Sequence, residues 1–235
     1  MSSHLRVKND KKKSDRAGKL PPLENGDRLT RYEFERRYNA MPDIKKAELI
    51  EGVVYMASPV RAANHGRPHA LIITWLGVYR ATTPGIDLID NATTRLDLDN
   101  EPQPDALLRI EVGGQSTISE DDYVEGAPEF IAEVAGSSAS YDLGDKLNVY
   151  RRNGVQEYLV WQVYDNRIDW FRLREGEYVA LDPDADGVVR SEVFPGLWLA
   201  VGAMLDGNLS DVLSVVQAGL ATAEHAMFVE SLGNS

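Results

Sequence analysis

The sequence predicts a mixed α/β (α+β) domain, with a central mixed sheet flanked by helices, an N-terminal hairpin before it and a C-terminal β meander after it. Three observations predict it. The hydrophobic period switches between helical spacing and strict alternation along the chain. Short apolar runs, "QPDALLRI" and "PEFIAEVA", lie between two segments of helical spacing. Finally, no linker divides the 235 residues, which are 43% hydrophobic and 26% charged, ordinary values for a folded chain with a real core.

The elements follow in order. Residues 1–27 read as a disordered basic tail ending in the Pro-Pro and Asn-Gly punctuation of "LPPLENGD", and 28–235 as one domain. Thr30 is placed to cap a short helix, "RYEFERRYNA", which stops before Met41-Pro42. "AELIEGVVYMAS" reads as two strands around a tight Glu51-Gly52 turn. From Asn64 to about Ala81, Leu71, Thr74, Trp75 and Val78 recur at the spacing of an amphipathic helix. "GIDLIDNATTRLDLD" alternates as a strand does, and "QPDALLRI" and "PEFIAEVA" are two more strands. Ser140 is placed to cap "YDLGDKLNVYRR", a helix that ends at Asn153-Gly154. "QEYLVWQVY" is a strand; "RIDWFRL", "EYVAL" and "VVRSEVF" read as the meander, and a terminal helix runs from about Leu209 to Leu220.

Charge and composition restrict function. The net charge of −12 argues against coating nucleic acid by electrostatics alone. The charge is uneven, however: residues 1–20 carry seven basic side chains against Asp10 and Asp15. Such a tail is either a solvated extension or an arm that touches nucleic acid. No segment has the apolar length of a membrane helix or the core of a signal peptide, so no membrane partner and a cytoplasmic address are expected. The absence of cysteine excludes disulfides, thiolate metal sites and cysteine nucleophiles.

The chemistry points to "IAEVAGSSASYDLGDK", residues 131–146. Glu133 interrupts an apolar strand, and a buried carboxylate is costly unless a charge, a proton or a metal compensates it. Asp105 follows Pro104 at the start of the preceding strand, and Lys146 lies on the following helix. Two carboxylates on adjacent strands form a pair of hard oxygen ligands suited to Mg2+ or Mn2+. An ammonium beside them can hold or help deprotonate a water, or offset charge on a phosphate. The competing reading is a Glu133–Lys146 ion pair kept only as structure.

"QPDALL", "IAEVAGSSASYDLGDKLNVYRRNGVQEYLVW" and the earlier "AELIEGVVYMASP" with its following Asn64-His65 together resemble the Uma-two family of restriction-endonuclease-like proteins, a branch of the PD-(D/E)xK nuclease superfamily. "SEVFPGLWLAV" and "GNLSDVLSVVQAGL" are similar to its C-terminal pattern, so the resemblance spans about residues 30–220. It implies a restriction-endonuclease-like core and a Mg2+- or Mn2+-dependent endonuclease acting on DNA. It also implies that Asp105 and Glu133 bind the metal, with the Val134 carbonyl as third ligand. The superfamily lysine normally stands two residues after the glutamate, where this chain has Ala135; Lys146 fits the branch's shifted position. Glu48 matches a family glutamate and is a further catalytic candidate, in an outer-sphere or second-metal role. A homodimer is expected because cutting both strands of a duplex calls for two sites, and meander strands offer a pairing edge. The alternative function is a catalytically inactive nuclease-fold module that binds nucleic acid or a protein partner. A metal-free glycosidase built on two carboxylates is a third reading and leaves Lys146 without a role.

Other residues carry less. Asp142, Lys146 and Tyr150 share a helix face, so Asp142 either forms a surface bridge or orients the lysine. His65 and His69 have ligand spacing, but with no third ligand nearby in sequence they read as helix-start and solvent residues. Trp75, Trp161, Trp170 and Trp198 read as core anchors, Gly113-Gly114 as a loop, and Ser137 and Ser138 lack a histidine next to them in sequence.

Overall fold

The computed structural model describes residues 20–56 and 61–233. The hairpin forms as β1 (Ala47–Ile50) and β2 (Val53–Met56), with Ile50 opposite Val53. Both turn residues take positive φ, 52° at Glu51 and 70° at Gly52, the twist that a two-residue hairpin connection needs. Glu51 is held there from outside, since its N–H donates to Asn100 Oδ1 at 2.8 Å and its carboxylate pairs with Arg152.

Of the tail expected over 1–27, residues 1–19 lie outside the described residues. From Leu23 onward the chain packs against the domain. Leu23 is buried with Leu49, Val54 and Phe34, the last on α1 (Arg31–Tyr38), and Gly26 N–H donates to Val54 O at 2.8 Å. Leu23, within the expected tail, is thus a core residue whose apolar side chain covers one face of the hairpin.

After α2 (Arg67–Ala81) come β3 (Ile86–Asp90), β4 (Ala106–Ile110) and β5 (Phe130–Ala135), then β6 (Glu157–Gln162), β7 (Arg167–Arg174) and β8 (Glu177–Ala180). These six strands form one sheet in the order β8-β7-β6-β5-β4-β3. Only β5–β6 is parallel within it, so the sheet is mixed as expected. Alternation along β5 divides the core. Phe130, Ala132 and Val134 join α2 on one face, while Ile131 and Ala135 join Tyr150 and Tyr158 on the other. Glu133 lies between Ile131 and Ala135 on that second face.

The buried stripe of α2 is Ile72, Trp75, Leu76 and Tyr79, not Leu71, Thr74, Trp75 and Val78. Thr74 is exposed and returns its hydroxyl to Ala70 O at 2.7 Å, so a polar residue sits on the wet side as its chemistry requires. Trp75 packs edge-on to Trp170 at 5.7 Å and to Phe130 at 6.4 Å.

The segment after β5 departs from the expected cap. Ser138 O accepts N–H groups of Tyr141 and Asp142 at 2.8 and 2.9 Å, so the helix begins at Ala139 and Ser140 lies inside it. The chain then widens into a π-helical turn, Asp142–Lys146, before α3 (Leu147–Asn153), which ends at Gly154 with φ 87°. A second π-helical turn, Ala62–Gly66, precedes α2. The meander comprises β6, β7 and β8 only. Glu157 accepts bonds from the Ser191 hydroxyl and from Glu192 and Val193 N–H, which draws "VVRSEVF" off the sheet. It supplies β9 (Val188–Arg190), paired with β10 (Trp198–Ala200) in a separate hairpin.

A short α4 (Val201–Leu205) leads to α5 (Leu209–Leu220) as expected and to α6 (Ala223–Gly233), which the sequence reading missed. Among the described residues no single helix is long and apolar enough to cross a membrane.

Candidate active site

The site begins where a strand ladder fails. In the β4–β5 pairing Leu108 lies opposite Phe130 and Ala106 opposite Ala132. One step further the same register sets Pro104 opposite Val134, and proline has no N–H to donate. The ladder stops there. Asp105 replaces it in part, its Oδ2 accepting the Val134 N–H at 2.8 Å. The Val134 carbonyl loses the donor an uninterrupted strand would have given it.

Glu133 stands one residue back, 3% exposed. Its Oε1 accepts from Lys146 Nζ at 2.8 Å and from the Tyr150 hydroxyl at 2.9 Å. Lys146 is equally buried and is shared, with Glu48 Oε1 at 2.9 Å and Asp142 Oδ1 at 3.8 Å. The Asp142–Lys146 pair is thus an interior contact, not a surface bridge. Glu48, from β1, is fixed by the Gln103 N–H, which donates to it at 2.8 Å. The hairpin therefore reaches the sheet's carboxylates through one lysine.

The two histidines read as solvent residues belong here instead. The π-helical turn before α2 brings His65 Nε2 to 3.2 Å from Asp105 Oδ2, and His69 Nε2 lies 3.0 Å from the Asp105 carbonyl oxygen and 3.0 Å from Asp90 Oδ1. Lys46 Nζ lies 3.6 Å from Asp105 Oδ1. Their four-residue spacing was the available signal, and the partner they lacked in sequence lies on another element.

The electrostatics separate the two acids. Burial alone would raise Asp105, but the His65 hydrogen bond, the Lys46 charge and the Val134 N–H outweigh it and hold the carboxyl well below the usual range. Glu133 is pushed up to about 8, mainly by burial; Lys146 opposes the rise and the charges of Asp105, Asp142 and Glu48 add to it. Burial likewise raises Asp142. Lys146 moves upward: burial would lower it, but Glu133, Glu48 and Asp142 together hold its proton far more firmly than usual. It is held as an ammonium, which acts on a neighbouring water or phosphate through its charge.

These groups line a cleft of about 900 Å3 that also includes Arg61, Asn64 and Tyr164. Among the described residues no three His, Asp or Glu side chains already converge as metal ligands.

The family profile described as "Uma2: Putative restriction endonuclease" matches residues 31–202. The chain belongs to the Uma2 family. Among solved structures this Uma2 chain is similar to "a putative nuclease belonging to DUF820" from Anabaena variabilis, with 13% identity and a TM-score of 0.55. That match covers 73% of this chain and 97% of the other. At such identity the likeness shows the fold, which is the nuclease-like fold the resemblance implied. No curated protein matches the chain.

Proposed function

We propose that this chain is a nuclease that hydrolyses DNA phosphodiester bonds with a divalent cation, Mg2+ or Mn2+, at the cleft. The observation that carries the reading is a surplus of carboxyl groups over ammonium groups in the cleft. Glu48, Asp105, Glu133 and Asp142 line the cleft, with Lys46 and Lys146 as the ammonium groups among them. Carboxylate and carbonyl oxygens suit a hard cation; Asp105, Glu133 and the Val134 carbonyl would hold it. When bound, the cation supplies Lewis-acid polarisation of the phosphate and acidifies water.

The protein's own residues do the rest. Lys146 presents a permanent positive charge to the negative charge that gathers on the phosphate oxygens. Glu48 and Asp142 position that ammonium, and the Tyr150 hydroxyl fixes the Glu133 carboxylate. His65 and the Val134 N–H orient Asp105 and keep it ionised.

The test is a calorimetric titration of Mn2+ into wild-type protein and Asp105→Ala, run beside a DNA cleavage assay. Binding and cleavage in the wild type alone support the nuclease. The inactive module is the second reading, favoured by the close Glu133–Lys146 pair. It predicts no Mn2+ binding in either protein.

A further inference from the structure

We infer that the cleft takes its DNA as an unpaired strand, with one base stacked on Tyr164; the inference rests on the nuclease reading above. Tyr164 stands on the turn between β6 and β7 and lines the cleft while 60% exposed. The ring is not loose. Asn64 Nδ2, from the π-helical turn before α2, donates to its hydroxyl at 2.8 Å. Two elements 100 residues apart thus hold one solvent-facing ring at the edge of the candidate site. The cleft also holds an aromatic pair, Tyr55 and Tyr141, with ring centroids 4.3 Å apart.

Charge argues the same way. A closed duplex is gripped through its phosphates, and each contact needs a Lys or Arg. Among the described residues the Lys and Arg side chains lining the cleft are Lys46, Arg61 and Lys146; Lys146 is committed to Glu133 and Glu48, and Lys46 lies 3.6 Å from Asp105. Lys46 and Arg61 face four carboxyl groups in a chain of net charge −12. Two phosphate contacts hold a duplex poorly. Stacking needs no cation, and one base on an aromatic ring strengthens binding roughly fivefold to a hundredfold. Every base has a face to stack, but only an unpaired one can leave its neighbours to do so. An unpaired strand is severed by one cut, so the chemistry then requires one site and no second copy.

The experiment is fluorescence anisotropy with a labelled single strand and the matching duplex in Ca2+, using the full chain, Tyr164→Ala and Tyr164→Phe. The wild type is expected to bind the single strand at least tenfold more tightly than the duplex. The salt dependence should be shallow, with a log–log slope of about −1.4 for two phosphate contacts. Tyr164→Ala should lose about tenfold in single-strand affinity, and Tyr164→Phe, which keeps the ring, should lose little. Equal or tighter duplex binding overturns the inference, and so does an unchanged Tyr164→Ala. Single-strand binding that depends on Tyr164, without Mn2+-dependent cleavage, would sink the catalytic reading and leave the substrate class standing. No binding of either DNA by the wild type removes both.

Discussion

Lys146→Met is the most informative single change in the site, because it removes one charge from three partners at once. Nζ lies 2.8 Å from Glu133, 2.9 Å from Glu48 and 3.8 Å from Asp142, and these side chains are 4%, 11% and 4% exposed. Methionine keeps most of the volume, so the loss is electrostatic. Breaking a buried ion pair by removing one partner costs about 3–5 kcal/mol, and in a domain of this size each kcal/mol moves the melting temperature by about 2–4 °C. The metal-free variant at pH 8 should therefore melt about 10 °C below wild type. The sign with pH follows from linkage. A carboxyl whose folded pKa is raised, as Glu133 is to about 8, contributes stability below its unfolded value and loses it as pH rises through the folded value. Without Lys146 that value rises further, so the variant recovers by taking up protons. Thermal unfolding of both proteins at pH 8 and pH 5.5 measures this, and the gap at pH 5.5 should shrink to less than half. An equal gap at both pH values would refute the charge argument and leave only lost packing.

Two other changes test separate parts of the structure. Glu157 is pushed up to about 7 by burial, against the bonds from Ser191, Glu192 and Val193 that lower it. Its contribution is complete below its unfolded value of 4.5 and fades as pH rises through 7, a loss of about 3 kcal/mol. Glu157→Gln should make that part of the pH dependence disappear from urea unfolding measured between pH 5 and 8. Pro104→Ala restores an N–H opposite the Val134 carbonyl; Mn2+ affinity, followed by calorimetry, should fall about tenfold with no loss of stability. An unchanged affinity would remove Val134 from the proposed ligand set.

Much of this arrangement was legible in the chain because it violates local rules. Glu133 is an ionisable side chain in an apolar strand, and that fault marks the cleft. The hairpin at Glu51-Gly52 and the helix end at Gly154 were legible because positive φ there has few chemical solutions. Partners across elements were not. His65 looked unpartnered because Asp105 is 40 residues away in sequence. Lys146 was legible as Glu133's partner, but its contact with Glu48 of β1 was not, because the two lie far apart in sequence. Leu23 looked like part of a tail because its contacts, to α1, Met41 and the hairpin, all come from later in the chain. Local spacing also placed the α2 stripe one step round, since it registers which residues are apolar and not which face meets the sheet.

The α5 and α6 segment lies beyond the matched span, which ends at residue 202, yet it closes the core. Val212 and Val216 are fully buried, and Thr83 Oγ1 and His225 Nε2 lie 2.9 Å apart. Where α5 crosses the turn before β10, a Cβ on Gly219 would sit 2.3 Å from Gly196 O. A chain trimmed to the matched span would therefore take His225 away from Tyr79, which it meets edge-on at 5.7 Å, and from Thr83. Whoever expresses this protein for assay should cut no earlier than residue 233, for the recognisable part of the chain is smaller than the part that folds.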